Sequence, residues 1–253
     1  MNLLKLSREL VIRKLLFAWM LFSSGAFLYA QELKNDTIQD VIERAQNGGN
    51  DGATSIFASA TWNSTNRTLV PNDGLFGKPL GYRADETKLN VWSFTLGFRS
   101  QLHKNIAWEG AVSYMRNGES YSFEDTDTSY MYESRYSYIA VPMKLFYTYG
   151  SDIKLLVGAG IVPQMFTGFK QDIEYEGEKN ATIKEEVKTR IGYNSFVLST
   201  VFNVGAQFKV GDRWSVLILP EYKLQLTSSL EKNAAYKHKA STFGGHIGLV
   251  FDL

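Results

Sequence analysis

The chain has 253 residues and carries 27 basic and 26 acidic side chains, which gives a formal net charge of +1. This balance gives no basis for nucleic-acid binding, and the lack of cysteine excludes disulfides, thiolate metal sites and cysteine nucleophiles. Aromatic residues make up 14 % of the chain, a share more typical of a membrane barrel than of a soluble domain.

The first segment has the form of an export signal. Basic residues precede an apolar run at 15–28 that is too short for a spanning helix. The tripeptide that ends at Ala30 predicts cleavage of a signal peptide comprising residues 1–30, with an uncleaved anchor as the alternative. Residues 31–52 are predicted to form a short periplasmic segment, either an amphipathic helix or an irregular leader.

From residue 53 to residue 253, bulky apolar residues alternate with small polar ones at a period of two. The alternation keeps a single phase within each of eight segments: 55–62, 92–101, 106–114, 138–147, 154–165, 195–209, 213–224 and 246–253. The polar positions are mostly Ser, Gly, Thr, Ala, Gln and Asn, whereas a solvated strand face would be rich in Lys, Glu and Asp. The sequence therefore predicts an all-β, eight-stranded antiparallel up-and-down transmembrane β-barrel with its apolar faces in lipid.

The connections between these segments alternate in length. Tight turns are predicted at 103–105, 150–152 and 211–212, and long polar loops at 63–88, 119–133, 168–190 and 227–241. Short periplasmic turns and long outer loops are typical of barrels in a Gram-negative outer membrane, so both mature termini are predicted to be periplasmic. The loop at 168–190 mixes Lys with Glu and is expected to prolong its two strands as a hairpin. The acidic loop at 119–133 is expected to be solvated, with a calcium site as the alternative.

Aromatic side chains fall at both ends of the predicted strands. Those beside the long loops are Trp62, Trp92, Tyr114, Phe196, Tyr222 and Phe243. Those beside the tight turns are Phe98, Trp108, Tyr147, Phe208, Trp214 and Phe251. Two such girdles are expected at the two lipid–water interfaces.

Three prolines lie inside predicted strands: Pro142, Pro163 and Pro220. Each removes a donor from the hydrogen-bond ladder. Bulges and strands that extend past their neighbours are both compatible with the sequence.

The last eight residues predict a strand that ends with the chain. His246, Gly248, Phe251 and Leu253 match the polar residue, the glycine and the two large apolar residues of the C-terminal signal read by outer-membrane insertion machinery. The predicted partners are therefore that machinery and outer-membrane lipids, with other envelope proteins as further candidates.

Residues 138–147, Tyr-Ile-Ala-Val-Pro-Met-Lys-Leu-Phe-Tyr, resemble the Tyr-Leu-Glu-Ile-Pro-Leu-Leu-Leu-Lys strand of PorT-like outer-membrane β-barrel proteins. A glycine-rich strand follows in both, here at 155–160, and Ala140 stands where the family often has an acidic residue. The resemblance implies an eight-stranded barrel in a Gram-negative outer membrane. Because the family includes a secretion-system accessory protein, a role of that kind is one that the resemblance implies.

Charged and polar residues in the small-residue phase are the candidate functional side chains: Arg99, Glu109, Lys144, Lys154, Lys209, Glu221, Lys223 and His246. The interior of an eight-stranded barrel is just wide enough to be filled by side chains, so charges placed there must pair or be hydrated. We predict a structural salt-bridge network in the lumen, with a narrow ion or solute path as the alternative.

Enzymatic outer-membrane barrels need a nucleophile, a base and an orienting group. The three histidines are predicted to lie in a turn (His103), in an outer loop (His238) and on the lumen face of the last strand (His246). Ser195 or Ser199 would have to approach His246 across the barrel, and no motif marks either of them. No catalytic, cofactor or metal site is predicted.

The leading functional hypothesis is a non-enzymatic barrel that acts as a structural or accessory component of an envelope assembly, in protein secretion or transport. Two alternatives stay open. One is an independent surface barrel whose outer loops bind a ligand, and the other is a narrow pore.

Overall fold

The period-two alternation of the sequence is realised as ten β-strands. The computed structural model describes residues 53–71, 83, 85–125, 128–176 and 182–253. The strands are β1 (Thr54–Pro71), β2 (Thr87–His103), β3 (Ile106–Asp125), β4 (Thr128–Ala140), β5 (Met143–Tyr149), β6 (Ile153–Glu176), β7 (Thr182–Thr189), β8 (Phe196–Lys209), β9 (Trp214–Gln225) and β10 (Tyr236–Asp252). Within these ranges, no helix has the length and apolar character needed to cross a membrane. The predicted signal peptide and periplasmic segment, residues 1–52, lie outside the described residues.

The strands close into an antiparallel ring. In order around it, β1 pairs with β2, β2 with β3, and β3 with both β4 and β5. β4 and β5 both pair with β6 on their other side, and β6 is followed around the ring by β8, β9 and β10. The last pairing, from Ser55↔Asp252 to Pro71↔Tyr236, returns to β1. Because β4 and β5 share one position and β7 lies outside the ring, the predicted eight-stranded up-and-down barrel is confirmed.

The three prolines lie where the ladders are interrupted. Val141 and Pro142 separate β4 from β5, and the facing part of β6 contains Pro163. The gap is bridged by the Val141 N–H, which donates to the Pro163 carbonyl at 2.9 Å. Pro220 pairs with Gly245 on β10, whereas the ladder between β8 and β9 is interrupted beside it. The prolines thus occupy positions where no ladder donor is required.

The bulky apolar side chains point away from the axis of the ring. Leu96, Val204 and Ile247 are 66 %, 62 % and 67 % exposed, while the alternate residues of the same strands are mostly buried. A soluble barrel would have the opposite arrangement. An apolar surface that continues around a closed sheet is stable in hydrocarbon, where every backbone polar group is satisfied within the ring.

Aromatic belts bound this apolar surface at both ends. At one end the rings of Phe98 and Trp108 meet edge to face, with their centroids 4.8 Å apart. At the other end Trp62 and Trp92 are directly paired across β1 and β2, and both are exposed. We call the belt at Trp62 and Trp92 the upper aromatic belt and the belt at Phe98 and Trp108 the lower aromatic belt. We take the stretch between them as the membrane-spanning part of the barrel.

The two ends of the barrel differ in construction. One end, which we call the short-turn end, carries the connections at 104–105, 150–152 and 210–213, close to the predicted turns. The ends of β1 and β10 also meet there, because the Leu253 N–H donates to the Thr54 carbonyl at 3.0 Å. We call the opposite end the projecting end.

At the projecting end, the prediction of a solvated loop at 119–133 is wrong. β3 and β4 pair continuously from Ser113↔Ala140 to Asp125↔Thr128, so the hairpin extends well beyond the upper aromatic belt. Aromatic residues favour this extended structure. The rings of Tyr121 and Tyr132 stack with their centroids 5.3 Å apart. The other predicted loops are also partly strand, because β1 continues to residue 71 and β10 begins at residue 236.

The predicted hairpin at 168–190 is confirmed. β6 continues to residue 176 and pairs with β7, with Glu174 opposite Lys184 and their charged groups 2.7 Å apart. The Lys170 ammonium lies 2.8 Å from the Glu186 carboxylate. The parts of β3, β4 and β6 beyond the upper belt, together with β7, form a four-stranded extension that we call the projecting sheet.

Candidate functional site

Charged side chains from five strands meet inside the barrel. Arg99, Glu109, Lys144, Glu221 and His246 are each at most 6 % exposed. Two lumen ion pairs, Arg99–Glu109 and Lys144–Glu221, have nitrogen–oxygen distances of 2.7 Å and 3.2 Å. Lys144 also lies 3.5 Å from Glu109, and Glu221 lies 2.8 Å from His246 Nε2. These five residues, which we call the charged lumen cluster, form one continuous chain of contacts.

The guanidinium of Arg99 is enclosed by polar and aromatic partners. Its Nε donates to Glu109 at 3.2 Å and its Nη1 donates to Gln207 at 3.0 Å. Its Cζ lies 4.9 Å and 5.7 Å from the ring centres of Phe146 and Phe57. A carboxylate together with two aromatic rings offsets much of the cost of removing a guanidinium from water.

Three lysines of the predicted network are placed differently from the cluster. Lys223 is 2 % exposed, and its ammonium contacts the Met115 sulfur at 4.0 Å. In a correction to the predicted set, Lys154 is only half-buried and Lys209 is exposed. Both belong to the inward phase, but they lie at the short-turn end of β6 and β8, where the strands leave the filled part of the lumen.

Apolar side chains fill much of the remaining lumen. One buried cluster comprises Phe57, Ala107, Ala111, Phe146, Leu156, Leu217, Leu219 and Val250. A second comprises Met115, Tyr136, Tyr138, Ala140, Val162, Val197 and Val201. The first cluster begins next to the turns of the short-turn end, and the second cluster extends toward the projecting end. The alternation in the sequence predicts mainly small neutral residues on this face and does not predict these two layers.

His246 joins a hydroxyl group to a carboxylate. Its Nδ1 lies 2.8 Å from Thr61 Oγ1 and 3.3 Å from Ser59 Oγ, while Nε2 faces Glu221. Hydroxyl, imidazole and carboxylate in this order are the groups of an acyl-transfer triad. Thr61 is only 2 % exposed, however, and the adjoining cavity measures about 10 Å³, space for about one water molecule. Within the described lumen, the set is therefore enclosed, with no space beside it for a molecule larger than water.

The other residues considered for catalysis are dispersed. His103 ends β2 at the short-turn end, and His238 lies in β10 rather than in an outer loop. Ser195 is exposed. Ser199 is buried and accepts a hydrogen bond from the Gln164 amide instead of meeting a histidine. Among the described residues, no group of three or more His, Asp or Glu side chains is arranged to hold a metal ion.

A second group of polar residues, not predicted from the sequence, surrounds a cavity at the projecting end. The cavity has a volume of about 150 Å³, and we call it the projecting-end cavity. Its charged lining residues are Arg67, Arg83, Glu86 and Glu119, and its aromatic ones include Tyr132, Tyr136, Phe169, Tyr193 and His238. The signal was present in the sequence, because the inward phase of β1 and β3 continues through Arg67 and Glu119. These segments were interpreted as loops.

The charged groups around this cavity pair with one another. Arg67 forms ion pairs with Glu86 and, at 3.6 Å, with Glu119. The hydroxyl groups of Tyr136 and Tyr132 donate to Glu119 at 2.6 Å and to Glu86 at 2.5 Å. Burial raises the pKa of Glu119, and the nearby Arg67 guanidinium opposes that rise.

His238 is buried at this cavity with both ring nitrogens unpaired. It is 2 % exposed, and neither Nδ1 nor Nε2 has a hydrogen-bond partner among the described residues. Its ring packs on Tyr136 with the centroids 4.9 Å apart. Burial, reinforced by Arg67 and Arg83, lowers the pKa of His238 to about 3, so the imidazole is neutral at physiological pH. It therefore presents one N–H donor and one nitrogen acceptor.

The residues of the predicted insertion signal also make contacts in the folded barrel. His246 belongs to the charged lumen cluster, and the Phe251 ring lies 4.9 Å from that of Trp214 in the lower aromatic belt. Gly248 lies against β1 with no space for a side chain. The Leu253 N–H helps to close the seam. The role of these four residues in insertion stays a prediction. The close packing of Gly248 against β1 is by itself a sufficient reason for a glycine at that position.

Gly248→Ala is expected to lower the free energy of unfolding by about 1–3 kcal/mol. The added β-carbon would lie 2.6 Å from the Ala58 carbonyl oxygen and 2.7 Å from the Ser59 β-carbon. Gly245→Ala on the same strand is the control, because nothing lies within 4 Å of its β-carbon position. Urea titration of the protein refolded in lipid vesicles measures both variants. Equal losses would contradict the packing explanation, and normal refolding with failed insertion in cells would assign Gly248 to the signal.

A closed antiparallel ring with an apolar outer surface and a filled, partly charged interior defines the class of a transmembrane β-barrel. A scan against protein-family models gives no match, and a search of the curated proteins gives none either.

Several solved structures are similar to the chain. Ail, the attachment invasion locus protein of Yersinia pestis, in complex with the heparin analogue sucrose octasulfate, is 15 % identical, with a TM-score of 0.37 over 79 % of this chain and 99 % of that one. The outer membrane protein OprG from Pseudomonas aeruginosa is 10 % identical, with a TM-score of 0.44 over 80 % and 96 %. The outer membrane protease OmpT from Escherichia coli is 9 % identical, with a TM-score of 0.44 over 79 % and 97 %. Likeness at this level carries no information about function.

Proposed function

We propose that this protein is a non-enzymatic, non-conducting barrel of a Gram-negative outer membrane, related to the PorT-like proteins. It serves as a structural or accessory component of an envelope assembly for protein secretion or transport. Both mature termini lie in the periplasm, and the projecting end faces outward. The short-turn end, where the ends of β1 and β10 pair, together with the opposite projecting sheet, supports this orientation.

The filled lumen is the observation that carries the proposal. Two apolar layers and the charged lumen cluster occupy the interior, and the cavity beside the cluster holds about one water molecule. Because its described lumen is filled by side chains, the barrel has no open path for transport through its own interior. The enclosed Thr61–His246–Glu221 set lacks space for a substrate, which supports a non-enzymatic role. The surfaces outside the membrane are then the parts available for function.

The projecting sheet offers a surface suited to a protein partner. In the described structure, β7 pairs with β6 alone, so its other edge has no neighbouring strand. An extended segment of a partner can add to such an edge through main-chain hydrogen bonds. Ile183 and Val187 are 39 % and 41 % exposed on this strand and would provide apolar contacts.

The purified protein is expected to give no conductance steps in planar bilayers, because the lumen is occupied by packed side chains. A Phe57→Ala/Phe146→Ala variant removes two rings from the buried apolar cluster next to the short turns. It serves as the positive control, because it shows whether the assay detects conductance through an opened lumen. Reproducible steps from the unaltered protein would favour the narrow pore over the proposed function.

The accessory role is tested by the mass of the native protein after mild detergent extraction. We expect a complex with another envelope protein, and we expect Glu185→Lys/Glu186→Lys on β7 to weaken it, because charge reversal at a contact surface opposes association. Glu124→Lys/Asp125→Lys, at the exposed end of β3, reverses the same number of charges and is the matched control. Isolation of the unaltered protein as a clean monomer would contradict an accessory role.

A further inference from the structure

The size of the projecting-end cavity limits what it can hold. Its volume of about 150 Å³ equals that of an engineered protein cavity that binds benzene. A single ring of about six to eight non-hydrogen atoms therefore fits, whereas a lipid chain or a disaccharide does not. Arg83 lines the cavity and is exposed, so the cavity reaches the surface of the described structure.

The charges around the cavity indicate a neutral occupant. Two arginines and two glutamates line it, and Arg67 is paired with both Glu86 and Glu119. A charged ligand that bound Arg67, Glu86 or Glu119 inside the cavity would have to displace one of these partners and leave another charge buried and unpaired, which is costly. A neutral ligand leaves the pairs intact.

The uncharged lining is mostly aromatic, and its two other polar side chains bond to each other, because the Gln171 amide donates to the Ser134 hydroxyl at 3.1 Å. The rings of Phe169 and Tyr193 stack at 5.3 Å, and Tyr136 lies 5.1 Å from Phe169. The hydroxyl group of Tyr136 is already used by Glu119. The two nitrogens of His238 therefore remain as unmatched hydrogen-bonding groups at the wall of the cavity. This combination suits a flat ring with one polar edge, whereas a sugar would require many more free partners.

We propose that the projecting-end cavity binds a neutral, single-ring aromatic compound of the phenol type, whose hydroxyl group forms a hydrogen bond with the His238 imidazole while its ring packs against the aromatic wall. The proposal is independent of the accessory role, because it uses residues inside the projecting end and leaves the free edge of β7 unoccupied.

The test is a titration of the full chain, folded in nanodiscs and labelled in its histidine rings, with phenol and with toluene as the probe of equal size. The chain has three histidines, so His103 and His246 serve as internal references. Phenol is expected to shift the His238 resonances in a saturable way and leave the other two unchanged. Toluene, which lacks the hydroxyl group, is expected to bind about five- to tenfold more weakly, the effect of one buried hydrogen bond.

A pair of matched variants completes the test. His238→Phe keeps a ring against Tyr136 but removes both nitrogens, and it is expected to abolish the preference for phenol over toluene. His103→Phe makes the same change at the short-turn end and is expected to leave binding unaltered. If His238→Phe fails to fold, the comparison of phenol with toluene on the unaltered protein still tests the proposal. His238 signals that do not respond to phenol, or that respond equally to both compounds, would overturn the proposal and indicate that the cavity holds only water.

Discussion

Glu221→Gln is expected to lower the free energy of unfolding by about 3–5 kcal/mol, the cost of removing one partner from a buried ion pair. Glu221 contacts Lys144 at 3.2 Å, His246 at 2.8 Å and the Asn203 amide at 3.3 Å, and all of these groups are buried. The neutral amide would leave the Lys144 ammonium with Glu109 as its remaining carboxylate partner. Urea titration in lipid vesicles, followed by the fluorescence of the four tryptophans that lie outside the predicted signal peptide, measures the loss.

Glu174→Gln is the matched control for this experiment. It removes the same charge from the pair with Lys184 on the projecting sheet, where both side chains are partly exposed. An exposed pair of this kind contributes about 0–1 kcal/mol, so we expect little change. We also expect Lys144→Met/Glu221→Gln to be less destabilised than the sum of its two single changes, since contacting residues couple. Additive losses would contradict a direct interaction between Lys144 and Glu221.

Leu96→Arg is expected to cost about 2–4 kcal/mol of folding free energy in lipid vesicles, the penalty for a basic side chain at the middle of the bilayer. Leu96 is 66 % exposed and lies on β2 between Trp92 and Phe98 of the two aromatic belts. In a water-soluble protein, an arginine at such an exposed position would change stability by only a few tenths of a kcal/mol. The substitution therefore distinguishes hydrocarbon from water as the surroundings of the apolar surface.

Val187→Arg provides the comparison for the lipid-facing change. Val187 is 41 % exposed on β7, outside the membrane-spanning part, and its replacement is expected to alter stability by less than about 0.5 kcal/mol. Refolding yield and urea midpoint in the same vesicles measure both variants. Equal behaviour of Leu96→Arg and Val187→Arg would contradict a membrane location for the belt around Leu96.

The ring itself was predictable because its cause is local. Alternation at a period of two assigns each side chain to one face, and closure follows from the need to satisfy every backbone group in lipid. The contacts across the lumen are a different matter. Arg99 and Gln207 are 108 positions apart, and their meeting depends on strand tilt and on the stagger between strands, which no single segment encodes.

The projecting end was predicted less well because two signals conflict there. Acidic and hydroxyl residues between 119 and 133 suggested a solvated loop, while Tyr121, Tyr130 and Tyr132 favour strands. Pairing between β3 and β4 decides in favour of the strands. The same misassignment hid the projecting-end cavity, because His238 was placed in a loop and no reason existed to bring it close to Tyr136.

The exposed edge of β7 also bears on self-association. If two copies met at this edge in an antiparallel arrangement centred on the strand, Glu185 of each would lie opposite Glu186 of the other, and Lys184 would lie opposite Val187. Like charges in directly opposed positions disfavour pairing, and charged residues on edge strands generally protect against sheet-to-sheet aggregation. The charge order of one eight-residue strand thus discourages pairing between neighbouring copies, while leaving the edge free for a segment that places basic residues opposite Glu185 and Glu186.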